Sequence, residues 1–193
     1  MKNRRFGVEL EFDTNGLGLS GIGELMWENG FREEWTGHKD YDEWSGEETY
    51  ANISFDGSEV EVRTPILQGQ KGFSELKRLV EVLGDVGCYT TESDGLHVHH
   101  DSPEFVGNKE LVIKLLKSWK YNESNICKFV DSDRAEFSLY ETYDGPCPTF
   151  NITDVEYYEN SSALRFSDDR HNLNVTPLVS KGSIEFRLYE GTL

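Results

Sequence analysis

Four well-separated stretches of this chain alternate between apolar and polar residues. Period-2 alternation marks a strand whose side chains point to opposite faces of a sheet. In the first stretch, Phe6, Val8, Leu10 and Phe12 face one way and Gly7, Glu9 and Glu11 the other. In the second, Val60 and Val62 oppose Glu59, Glu61 and Arg63, and the stretch closes at Thr64-Pro65. In the third, Leu96 and Val98 oppose His97, His99 and Asp101; in the fourth, Ile184, Phe186 and Leu188 oppose Ser183, Glu185, Arg187 and Tyr189. Residues 172–176 alternate in the same manner through Leu173 and Val175. One-sided alternation asks for a cover on the apolar face and favours antiparallel pairing.

The cover is legible as helices. Phe73, Leu76, Leu79, Val80, Leu83 and Val86 recur at three- and four-residue spacing and predict an amphipathic helix over about residues 72–85. Asn108 is placed to cap a second helix with the apolar stripe Leu111, Val112, Leu115, Leu116 and Trp119. A shorter helix is expected after Ser20. Residues 28–48 and 142–162, rich in acids and turn residues, read as long polar loops. The expectation is an α+β protein, a mainly antiparallel curved sheet with helices packed on one face, formed as a single domain over residues 1–193.

Composition narrows the function. A chain of 193 residues can bury a core without disulfides, and no apolar run approaches the roughly 18 residues of a membrane span. The start lacks the apolar region of a secretory signal. Cys88, Cys127 and Cys147 are odd in number and lack metal-ligand spacing. A reducing, cytoplasmic setting is expected. With 36 acidic against 19 basic residues and a formal net charge of −17, binding to a phosphate backbone is not expected, because that affinity comes from Lys and Arg. Two readings of the acid stay open: a solubilising surface that includes a cation site, or a decoy that imitates DNA for a basic partner.

The polar faces of the four strands together carry Glu9, Glu11, Glu59, Glu61, His97, His99, Glu185 and Arg187, without a lysine. An ordinary solvated face mixes charges that pair across strands; gathered carboxylates repel, and protonation or a cation must relieve them. On one strand, a Glu-x-Glu pair is more often a solvated edge than a metal site. Four concordant strands reverse that balance. Glutamates at i and i+2 set their stems about 6.5–7 Å apart, a span that serves one ion or two neighbours. Carboxylates with a single imidazole suit Mg²⁺, or Mn²⁺, better than Zn²⁺, and Mg²⁺ held this way keeps waters and substrate phosphates as further ligands. The implied partner is a nucleotide. Three groups get blander readings: His100 as an apolar-face histidine, His38 and His171 as structural or solvated, and Cys147 as packing.

Several short pieces, in order, resemble the amidoligase family of the carboxylate–amine ligase group, which includes glutamine synthetase and glutamate–cysteine ligase. They are Phe6-Gly-Val-Glu-Leu-Glu-Phe12, Asp56-Gly-Ser58, Glu61-Val-Arg-Thr-Pro65, Gly95-Leu-His-Val-His99, Arg170 with Leu173-Asn174, and Ile184-Glu-Phe-Arg187 leading to Gly191-Thr192. The resemblance implies a glutamine-synthetase-like catalytic domain. Its metal ligands would be Glu9, Glu11, Glu61, His97 and Glu185, with Glu59 as an outer or additional ligand. It puts Arg187 on the γ-phosphate of ATP and His99 and Arg170 on substrate or phosphate.

The implied reaction is ATP-dependent: a carboxylate is activated as an acyl phosphate, and an amine then attacks it to give an amide. Its partners would be small-molecule or peptide acids and amines, with no membrane; a homo-oligomer is one form such a site can take. Two other classes stay in view. One is an inactive, acidic binding protein on the same scaffold, for example a DNA-mimicking inhibitor. The other is a different metal-dependent phosphoryl-transfer enzyme.

Overall fold

The computed structural model describes residues 4–42, 47–56, 59–91, 94–126, 128 and 172–190. By internal contacts the chain divides into two compact units, residues 1–96 with 191–193, and residues 97–190. Arg170, Cys127, Cys147, His171, Trp44, the stretch 142–162 and Gly191-Thr192 lie outside the described residues.

The first unit is built on the first two alternating stretches. They form β1 (Arg5–Phe12) and β5 (Glu59–Arg63), paired antiparallel with Leu10 opposite Val62 and Phe12 opposite Val60. The sheet continues outward from β5 through β4 (Ile53–Asp56), β3 (Glu47–Tyr50) and β2 (Lys39–Asp42) in antiparallel steps. After β5 the chain resumes pairing with β1 as the two-residue β6 (Leu67–Gln68). Glu9 faces Arg63 but Phe6 faces Leu67, so one extra residue is accommodated in the link 64–66. Pro65 has no amide hydrogen to offer there. Thr64 makes the local contacts: its Oγ1 accepts the Val8 N–H at 2.9 Å, and its own N–H donates to the Val8 carbonyl at 2.8 Å.

Three helices meet the apolar face of this sheet: α1 (Gly18–Glu28), α2 (Glu33–Thr36) and α3 (Gly69–Asp85). Phe6, Val8, Leu10, Phe12, Val60 and Val62 share one buried cluster with Ile22 and Met26 of α1 and Leu79 and Leu83 of α3. The helices expected near residues 72–85 and after Ser20 are therefore present, with α3 starting three residues earlier and α1 starting at Gly18, ahead of Ser20. Residues 28–48 are not one long loop. They hold α2 and the β2–β3 pairing, and Trp35 is buried edge-on against Phe31 at 5.0 Å between ring centres. Dense acidic residues concealed these elements, since charge carries no period.

The second unit takes β7 (Gly95–Asp101) from His97 onward, then a 3-10 turn at Pro103–Phe105, α4 (Lys109–Ile126), β8 (Leu173–Asn174), α5 (Pro177–Ser180) and β9 (Ser183–Glu190). β9 lies between β7 and β8, and β8 pairs antiparallel with Asn174 opposite Glu185. The predicted cap is in place, with the Leu111 N–H donating to Asn108 Oδ1 at 3.1 Å. Val112, Leu116 and Trp119 of α4 pack with Leu173, Val175, Leu178 and Ile184. The strand expected over 172–176 is cut to two residues because Pro177 opens a helical turn, which its fixed φ favours at a first helical position. Architecture in both units is α+β and, where register is defined, antiparallel. Among the described residues, no helix is long and apolar enough to cross a membrane.

Gly23 supplies a test of the α1 contact. A Cβ built there falls within the ring of Tyr50, which is itself buried. Overpacking costs about 1–3 kcal/mol, against a helix-propensity gain of about 1 kcal/mol for Gly→Ala. Gly23→Ala is expected to lower Tm by up to several degrees, at roughly 2–4 °C per kcal/mol for a chain of this size; a raised Tm in calorimetry would refute the contact.

Candidate functional site

The polar faces of the strands carry several buried acids. On β1 and β5, Glu11 and Glu61 are opposite one another in register and are only 9% and 6% exposed. Cross-strand neighbours sit about 4.5–5.5 Å apart at Cβ, so two carboxylates there repel unless each is answered. Both are answered locally. Arg63, two residues along the same face, brings Nε to 2.6 Å from Glu61 Oε1 and donates through Nη2 to Ser54 Oγ at 2.7 Å. Ser54 is the register partner of Glu61 on β4. Glu11 Oε2 accepts the N–H of Gly95 at 2.6 Å, a charge-assisted bond at the first residue of β7. Glu9 and Glu59 are half-buried, with Glu9 opposite Arg63.

The second unit contains a matching arrangement around Glu185, 3% exposed. Its Oε2 accepts from Asn174 Nδ2 at 2.8 Å, and its Oε1 accepts from Arg187 Nη1 at 2.9 Å. His97 Nδ1 stands 3.7 Å and His99 Nε2 4.0 Å from the same Oε1, beyond hydrogen-bond reach but well within electrostatic range. His97 is nearly fully buried. The other nitrogen of His99 lies 3.5 Å from Ser183 Oγ. His100 is turned to the other side, edge-on to Phe186 at 5.5 Å, as its position in the alternation implied.

So the first unit gathers Glu9, Glu11, Glu59 and Glu61, and the second gathers His97, His99, Glu185 and Arg187. The described residues include acidic and histidine groups of the kind that bind a metal ion. A family model described as "Putative amidoligase enzyme" matches residues 36–193. This chain belongs to that family. No curated protein matches the chain. Membership in the amidoligase family points to a ligase-type activity on small molecules.

The chemistry of the donor set fits the hard divalent ion expected of this amidoligase. Carboxylate oxygens dominate the set, as a hard divalent ion prefers, with His97 and His99 as its imidazoles. Two features of the geometry were not anticipated. Arg63 and Arg187 each stand against a buried glutamate two residues earlier, and the Glu-x-Arg spacing on a strand, which puts both side chains on one face, was the signal that could have found the pairs.

Asp94 gave no sequence signal at all. It precedes β7 in a stretch that reads as an ordinary turn, yet it is fully buried. Oδ2 accepts the Thr91 N–H at 2.5 Å, while Oδ1 has no hydrogen-bond partner. Burial raises its pKa above the ordinary carboxylate value of 3.8, the Thr91 bonds oppose that shift, and the charges of Glu59 and Asp13 add to it.

A carboxyl group whose pKa is raised on folding stabilises the fold below its unfolded pKa and loses that contribution as pH rises through the folded value. Asp94→Asn is therefore expected to gain in urea midpoint relative to the unsubstituted protein as the pH is raised from about 4, the ordinary carboxylate pKa, toward neutrality. A difference independent of pH would contradict the assignment.

Proposed function

We propose that this amidoligase is an ATP-dependent carboxylate–amine ligase on a glutamine-synthetase-like catalytic domain, forming an amide through an acyl phosphate. The observation that carries this reading is the burial of Glu11, Glu61, Glu185 and His97 on polar strand faces in a chain of this family. Surface carboxylates need no such sequestration. Burial is costly for a charge, and it is functional where the charge meets a cation and a phosphate in a low-dielectric setting.

In this reading Glu9, Glu11, Glu61, His97 and Glu185 hold Mg²⁺, with Mn²⁺ able to replace it and Glu59 as an outer ligand. The ion, when bound, supplies charge neutralisation for the transferring phosphoryl group. The remaining work belongs to the chain. The Asn174 and Gly95 donors fix the carboxylates of Glu185 and Glu11 in orientation, as outer-shell partners do. Arg187, already beside Glu185, offers a planar fork to the γ-phosphate. His99 and Arg170 contact substrate or phosphate. Positioning and charge stabilisation then carry the reaction without a side-chain nucleophile.

The test is ADP release with Mg²⁺ and pools of acids and amines: amino acids, γ-glutamyl and cell-wall-type peptides, and nucleotide-derived acids and amines. ADP release is expected only when an acid and an amine are both present, with an amide detected by mass spectrometry. Glu61→Gln and Glu185→Gln should each lower the rate about a hundredfold or more, as expected for lost charge stabilisation at a reacting centre. ATP consumption without an amide would assign a different phosphoryl transfer. Absence of turnover, with partner binding kept in Glu9→Gln and Glu185→Gln, would assign a binding protein.

A further inference from the structure

Arg63 is assigned no role in the proposed function, yet it is a direct ionic partner of Glu61. Its Nε lies 2.6 Å from Oε1, a direct ion-pair contact. Ser54 holds Nη2 at 2.7 Å from the neighbouring strand, so the guanidinium is fixed from two sides. Glu61 and Arg63 differ in surroundings: the glutamate side chain is 8% exposed and the arginine side chain 45%. The carboxylate is locked into the sheet while the guanidinium has a route to solvent. Arginine carries five N–H donors, and these two contacts use two of them.

We propose that Arg63 is a resident counter-ion of Glu61, which a divalent cation must displace to use that carboxylate. The inference rests on the reading of Glu61 as a metal ligand. Two effects of Arg63 on metal binding compete. As an orienting partner it would hold Glu61 ready and strengthen binding, as outer-shell donors commonly do. As a cation beside the site it competes for the same carboxylate and repels a doubly charged ion.

The second effect wins here for two reasons. Arg63 contacts the carboxylate directly, and the repulsion scales with both charges of the ion and is weakened only in part at a half-exposed guanidinium. Orientation, by contrast, is supplied in part without Arg63, because the Glu61 side chain is buried on a strand paired with β1 on one side and β4 on the other. Glu185 and Arg187 repeat the spacing and the contact in the second unit, at 2.9 Å. There the arginine is only 21% exposed and the glutamate has a second anchor in Asn174. Arg63 is the more readily displaced of the two.

Once displaced, the guanidinium stays tethered two residues from the ion's ligand. An anion arriving with the metal would find it there. Arg63 thereby lowers affinity for the bare ion and favours the ion accompanied by a phosphate or carboxylate.

The experiment is a titration of the full chain with Mn²⁺ alone, following free Mn²⁺ by electron paramagnetic resonance, with Tm measured in parallel. Arg63→Gln keeps a donor for Ser54 and removes the charge; Arg63→Lys keeps the charge. Arg63→Gln is expected to bind Mn²⁺ roughly tenfold tighter, equivalent to about 1.4 kcal/mol, and Arg63→Lys to stay near the unsubstituted protein. The tightening should shrink in high salt, since screening acts on the exposed charge. Equal or weaker binding by a folded Arg63→Gln, with Mn²⁺ bound by the unsubstituted protein, overturns the counter-ion and leaves the metal site standing. Failure of all three proteins to bind Mn²⁺ overturns the metal site and this inference with it.

Discussion

A carboxylate removed from water has to be met by a proton, a donor or a cation, and the polar strand faces of this protein are arranged around that requirement. Glu61 is met by Arg63, Glu185 by Arg187 and Asn174, and Glu11 by the amide of Gly95. These contacts decide which backbone segments have to be adjacent. Glu11 draws the first residue of β7 to β1, and Glu185 fixes β8 to β9 through an asparagine directly opposite it. A sheet with an apolar face alone would tolerate many residues in these positions. One that also sequesters acids on its other face tolerates few.

Much of this was legible because the two periods do not interfere. Along β1 and β5 each second residue is a core residue, and the intervening acids identify themselves by the gap they occupy. Along α3 and α4 the three- and four-residue spacing names the buried stripe, and Asn108 marks the start of α4. Legibility failed where a strand contributes few buried residues. β4 buries Ile53 but leaves Phe55 well exposed, and β6 is two residues long, so neither offers a period to read. β2 and β3 lie in acidic sequence with little apolar alternation.

For the site, residue type was legible and pairing was not. The glutamates and histidines could be named from their faces, but the partners of a carboxylate depend on register, which fixes Ser54 across from Glu61 and Asn174 across from Glu185. Asp94 shows the limit most plainly. Its neighbours in sequence are turn formers, and its burial arises wholly from tertiary packing. An oxygen left without a partner is a property of the fold and has no local signature.

The extra residue between Arg63 and Leu67 reaches further than its size implies. Val60 and Val62 occupy even positions and Leu67 an odd one, yet all three are buried on the apolar side. The added residue resets the parity of the strand in mid-course. Removing one residue from this link would turn Leu67 toward the acids and carry the root of α3 with it. In this segment the number of residues is under tighter constraint than their identity, and related chains should differ here by substitution far more readily than by insertion or deletion.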